Sequence, residues 1–175
     1  KMLARAFDKV EELNHDVGFM YHLTSGANYR LTGDIEARNR NLTAAMILAS
    51  RYNPDGDIIR AWNIPERAGW TIIDCMMNLP LLYWASEEIG DDRFKQVAMA
   101  HADMAILDLL RDDGSIAHIV EHDRETGEPV ATYGGQGYAE GTSWSRGQSW
   151  AIYGYTMMYR ETKKKEYLDF AQKVA

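Results

Sequence analysis

The chain has 175 residues, 46% hydrophobic and 26% charged, enough to bury a substantial core as a single domain. Its net charge of -7, with Lys and Arg scattered rather than striped, argues against a nucleic-acid partner, and no uninterrupted apolar run approaches the ~20 residues a membrane span needs. The single cysteine, Cys75, excludes an internal disulfide and sits most easily with a reducing compartment, so a cytoplasmic location is favoured over a periplasmic one.

Residues 1–14 form a charged amphipathic pattern, with Leu3, Phe7, Val10 and Leu13 at helical spacing, and read as the outer helix of a hairpin whose inner partner is missing. An apolar run from Asp16 follows and ends at Gly33, 17 residues on. The next helix spans residues 34–52, with Asp34 as N-cap and Ile35, Leu42, Ala45, Met46, Ala49 and Tyr52 facing inward. Asn53-Pro54-Asp55-Gly56 stops it, and a short extended piece, residues 57–63, brings Trp62 back. Residues 70–86 are apolar on every side and predict a fully buried inner helix, whose Trp70 and Trp84 are core. Its one carboxylate is Asp74, 16 residues before Gly90. Thr71-Ile72-Ile73-Asp74 fits a capping box with Thr71 as N-cap, so a cap role for Asp74 stands beside any chemical one.

A half-polar helix runs on from Gly90. Residues 115–123 and 130–133, either side of Glu125-Thr126-Gly127-Glu128, predict an inserted β-hairpin. A third inner helix carries Arg146, 16 residues before Thr162, and a last outer helix closes the chain. One unit is thus repeated three times: apolar helix, tight turn, half-polar helix. Such a repeat predicts an all-α fold, an incomplete (α/α)6 barrel or toroid of about three helical hairpins. The chain starts without Met and stops within a helical run, so residues 1–175 are read as one catalytic-domain fragment, truncated at both ends. The remainder of the barrel is then its partner.

In such a ring the inner helices point the same way. Asp16, Asp74 and Arg146 therefore converge at one mouth, joined by loop residues Trp62, His118, Gln136 and Trp144. Two carboxylates, an Arg, a Gln and several Trp have the make-up of a sugar-acid site, because Trp faces stack on sugar rings and Arg pairs with carboxylates in two-pronged fashion. Helix N-termini add partial positive charge. Bland roles compete: an N-cap for Asp16, a solvated charge for Arg146, core packing for Trp150 and a structural histidine at His118. His118-Ile119-Val120-Glu121-His122 matches an inverted zinc-protease motif but lies in a β-rich segment where a helix is required, so no metal is expected. Gly135-Gln136-Gly137 lacks the spacing of a dinucleotide loop, Cys75 has no visible His partner, and no cofactor is expected.

HDVGFM, WTIIDCMMNLPLLYWA, DGSIAHIVEHDRETGEP and QGYAEGTSWSRGQSWAIYGY together resemble the unsaturated glucuronyl hydrolases, glycoside hydrolase family 88. The resemblance implies a lyase-made oligosaccharide substrate with a 4,5-unsaturated uronic acid at its non-reducing end, hydrated at its C4=C5 vinyl ether. It implies Asp74 as the proton carrier, Asp16 as the second carboxylate, and Trp62, His118, Gln136, Trp144, Arg146 and Trp150 as substrate-binding residues. Two other readings stand beside it. One is an unsaturated rhamnogalacturonyl hydrolase acting on pectin fragments. The other is a non-catalytic sugar-binding α/α barrel in which Asp74 only caps its helix.

Overall fold

A computed structural model describes residues 6–175. Leu3 of the expected first helix lies outside the described residues. Within them, Phe7–Glu12 is a 3-10 turn kinked at Lys9 rather than an α-helix, and Phe7 stacks on Tyr21 at 4.5 Å.

The first inner rod is α1 (Val17–Tyr21), a π-turn (His22–Gly26) and α2 (Ala27–Thr32) in direct succession. Its outer partner is α3 (Ile35–Ala49), and the Asp34 side chain accepts the Glu36 N–H at its start, as the sequence predicts. The buried face of α3 differs from the predicted one. Ala37, Asn41, Ala44, Ala45 and Leu48 are buried, while Ile35 and Met46 are 61% and 54% exposed. Small residues let α3 lie close against the inner rod, and that contact, rather than the larger apolar side chains, selects the inward face. Tyr52–Asn53 (β1) pairs antiparallel with Ile58–Ile59 (β2) and reverses the chain.

The largest departure falls on residues 70–86. Trp70–Ile72 is a strand, β3; Ile73–Met77 is a 3-10 turn; only Leu79–Ile89 is α-helix, α4. Thr71 and Ile72 are β-branched, and the inserted hairpin offers them a partner. That hairpin is β4 (Ile119–His122) and β5 (Pro129–Tyr133), present where the sequence places it, and β3 adds to its edge with Thr71 opposite Val120. Pro80 at the start of α4 marks where the helix can begin. Thr71 therefore caps nothing: it is fully buried in a strand, with its Oγ1 unpartnered.

α4 turns into α5 (Arg93–Asp108), and α6 (Ser145–Thr162) into α7 (Lys165–Val174). All three inner helices end on a left-handed residue, Gly33 (φ 71°), Gly90 (φ 68°) and Lys163 (φ 59°), which redirects the chain into the outer helix. α1 packs on α3 and α4, α4 on α5 and α6, and α6 on α7. The result is three inner–outer hairpins side by side, an arc of an α/α barrel with a small three-stranded sheet. No described helix is long and apolar enough to cross a membrane.

One buried histidine, His101, and one half-buried histidine, His22, give this core an acid limit. His101 accepts the Ile59 N–H through Nδ1 at 3.0 Å, and burial pushes its pKa down to about 3. Burial, helped by Arg30, takes His22 to about 4. Both groups gain a proton near pH 6.5 once unfolded, so stability is full above that pH and is lost as pH falls toward the folded values. Each unmatched proton costs about 1.4 kcal/mol per pH unit. Urea midpoints of the full polypeptide between pH 6 and 4 are expected to fall steeply. His101→Asn, which keeps an acceptor for Ile59, is expected to lessen that slope; an unchanged slope would refute this account of acid lability.

Candidate active site

Asp16 and Asp74 line one cavity of about 350 Å³ together with Phe19, Met20, Met77 and Trp150. Neither carboxyl serves its helix. Asp16 precedes α1 in helical conformation with no side-chain cap bond; its own N–H donates to Asn14 Oδ1 at 2.9 Å. Asp74 lies inside the 3-10 turn, with no capping partner in the buried Thr71. The bland roles that the sequence allows both carboxylates are thus not taken up.

Asp74 is placed by the strand before it. The Ile73 N–H donates to the His118 carbonyl at 3.1 Å, extending the β3–β4 ladder to the residue next to Asp74. This sets His118 Nε2 at 3.5 Å from Asp74 Oδ2; the side chains are 1% and 20% exposed. Neither atom has a hydrogen-bond partner at normal length. His118 Nδ1 accepts the Gln136 N–H at 3.0 Å and lies 3.1 Å from the Gly134 carbonyl. Trp144 stacks on the His118 ring at 4.0 Å, and the Arg146 guanidinium lies over Trp144 at 4.2 Å while donating to Gln136 Oε1. His118 therefore sits buried behind Asp74, and Arg146 and Gln136 lie exposed at the rim.

Asp16 heads a second cluster. His15 Nε2 lies 3.3 Å from Asp16 Oδ1, and Trp62 meets the His15 ring edge-on at 6.0 Å. Trp62 also contacts Trp70, which stacks on Tyr133 at 4.3 Å; Trp70 is half-buried in this aromatic ladder rather than in the main core. Trp84 packs against the main core as expected, and Trp150 does so while also lining the cavity.

The two clusters are joined by Asn78, fully buried, whose Oδ1 accepts the Phe19 N–H at 2.5 Å and whose Nδ2 donates to the Asp74 carbonyl at 3.2 Å. Sequence reasoning missed His15 and Asn78. Asn78 stands four residues after Asp74 and His15 directly before Asp16, spacings that carry no distinctive signal. Of the predicted residues, Asp16, Asp74 and Trp150 share the cavity, while His118, Gln136, Trp144 and Arg146 form one contact chain ending at Asp74. Trp62 joins the Asp16 side. A larger cavity of about 590 Å³, lined by Val10, Arg51, Arg60 and Arg124 among others, contains none of them. Cys75 is buried, which raises its thiol pKa far above the ordinary range, so it is no nucleophile.

No protein-family model matches the chain. It is 40% identical over 172 residues to an unsaturated glucuronyl hydrolase of Bacillus sp. (strain GL1), covering 96% of this chain and 46% of that protein. The chain is homologous to the unsaturated glucuronyl hydrolases. It is 39% identical to an unsaturated chondroitin disaccharide hydrolase of Streptococcus agalactiae, over 92% of this chain and 41% of that one. A solved unsaturated glucuronyl hydrolase structure, an Asp-to-Asn variant with dGlcA-Glc-Rha-Glc, superposes with a TM-score of 0.90 at 36% identity, covering 99% of this chain and 48% of that chain. The chain thus spans about half the length of the unsaturated glucuronyl hydrolases it matches.

Proposed function

We propose that the protein containing this chain is a hydrolase that removes the 4,5-unsaturated glucuronyl residue from the non-reducing end of lyase-made oligosaccharides. The observation that carries the reading is the pair of carboxylates, free of cap roles, facing one tryptophan-lined cavity. Hydration of a vinyl ether needs a proton delivered to C4 and later recovered from water. Asp74, partly buried and backed by a histidine, suits that exchange. Protonation of C4 leaves positive charge shared by C5 and the ring oxygen. Asp74, now ionised, takes a proton from water as its oxygen bonds to C5. The hemiketal opens to the C5 ketone, and the hemiacetal exposed at C1 releases the neighbouring sugar. Reaction is not at the anomeric carbon, so the carboxylate spacing rule for ordinary glycosidases does not govern it.

In this reading Asp16 holds sugar hydroxyls, Arg146 with Gln136 meets the uronic carboxylate and site water, and Trp62, Trp144 and Trp150 line the subsites. His118 orients Asp74 from behind. Exposed Leu23 (53%) and Leu31 (85%) on the first inner rod mark the flank that the rest of the ring covers. The test follows the ultraviolet absorbance of the conjugated double bond in lyase-made disaccharides from chondroitin, hyaluronan and rhamnogalacturonan, with the full polypeptide. Loss of absorbance with a glucuronyl disaccharide is expected. Consumption of the rhamnogalacturonan product alone, or binding without any turnover, would overturn the assignment.

A further inference from the structure

We propose that His15 is a positioning residue for Asp16, an inference that rests on the carboxylate-pair reading above. His15 is 3% exposed. Its Nδ1 lies 2.9 Å from the Ala61 carbonyl, which also accepts the His15 main-chain N–H at 3.2 Å. A carbonyl only accepts, so Nδ1 carries a proton. Ala61 is fully buried and donates its own N–H to the Trp70 carbonyl at 2.9 Å, so the anchor is continuous with β3. Trp62 fixes the remaining freedom of the ring by its edge-on contact at 6.0 Å.

This locks Nε2 toward Asp16 Oδ1 at 3.3 Å. With Nδ1 turned to the Ala61 carbonyl, the ring can present only Nε2 to Asp16. The ring faces Oδ1, and Asp16 lines the cavity that it shares with Asp74. The Asp16 side chain is 48% exposed and has no cap bond. His15 supplies a restraint that the helix does not. Through Ala61, it also ties Asp16 to the strand that precedes Asp74, so both carboxylates take their positions from β3.

Two variants of the full polypeptide separate this role from simple packing. The amide nitrogen of His15→Asn reaches the Nδ1 position, keeping the Ala61 anchor but losing Asp16. That of His15→Gln reaches the Nε2 position and donates to Asp16. KM and kcat for an unsaturated chondroitin disaccharide, calorimetric Kd and Tm are measured for each. We expect His15→Asn to raise KM and Kd about tenfold or more, with a smaller change in kcat and Tm near wild type, and His15→Gln to restore both constants to within about threefold. Wild-type affinity in His15→Asn, or equal losses in both variants with lowered Tm, would overturn the proposal. If the wild type binds the disaccharide without consuming it, the hydrolase assignment fails and the Kd series still decides the role of His15. A wild type that neither binds nor consumes it overturns both.

Discussion

Asp74→Asn is expected to lower kcat for an unsaturated glucuronyl disaccharide by about 10²- to 10⁴-fold, the range that a positioned acid/base group contributes, while leaving binding and folding intact. The substitution keeps the side-chain shape and the main-chain carbonyl to which Asn78 donates. The 3-10 turn is tied to the hairpin through the Ile73 N–H, which the change does not touch. An amide can neither deliver a proton to C4 nor take one from water. A stability effect is expected to be small because Asp74 makes no cap bond and His118 Nε2 stands 3.5 Å from its Oδ2, beyond normal hydrogen-bond length. The measurements are absorbance loss at saturating substrate, calorimetric affinity and a thermal melt. Turnover within threefold of wild type would remove Asp74 from the mechanism. A large fall in Tm would mark it instead as a structural carboxylate.

Asn78→Ala is expected to cost about 2–3 kcal/mol of stability and, separately, on the order of 100-fold in kcat/KM. Asn78 is the strut between the two carboxylate-bearing segments. Its Oδ1 accepts the N–H of Phe19 in the first turn of α1, three residues after Asp16, and its Nδ2 donates to the carbonyl of Asp74. Removing the amide orphans a part-buried N–H and leaves a gap where the two segments lie close together. How closely is shown by Gly18: a Cβ there would stand 2.7 Å from Asn78 Cβ and 2.8 Å from its carbonyl oxygen. Gly18→Ala should therefore push the same two segments apart by a different route and reproduce the loss of activity. Urea denaturation and steady-state kinetics of the full polypeptide report both effects. Asn78→Ala with wild-type stability and kinetics would show that the distance between Asp16 and Asp74 is set elsewhere.

Much of this architecture is local and is therefore legible in the chain. The three intervals from Asp16, Asp74 and Arg146 to their turns mark the repeat, and the left-handed caps fall at or next to the predicted positions. Asp34 caps α3 because a short carboxylate can reach its own helix, a contact that depends on neighbours in sequence alone. The hairpin around Glu125-Thr126-Gly127-Glu128 follows from turn chemistry. The repeat also predicts that Asp16 and Asp74 meet, and the two line one cavity with Trp150.

What periodicity could not decide is which partner a segment meets. The apolar run 70–86 is compatible with helix or strand throughout, and its first residues became β3 because an inserted hairpin, some fifty residues later in sequence, supplied an edge for pairing. Pro80 was a visible sign that the helix starts late, but only the strand pairing explains why Thr71 caps nothing and why Asp74 has no cap role. The inward face of α3 was likewise chosen by the closeness of the inner rod, which favours Ala37, Ala44 and Ala45 over Ile35 and Met46. His15 and Asn78 entered the site through contacts across 46 and 59 residues of chain. The repeat and its turns were determined by the sequence itself, since each rests on contacts within a few residues. The freedom of Asp74 and the bracing of both carboxylates were decided by tertiary structure, since each depends on a hydrogen-bond partner that the fold brings in from a distance.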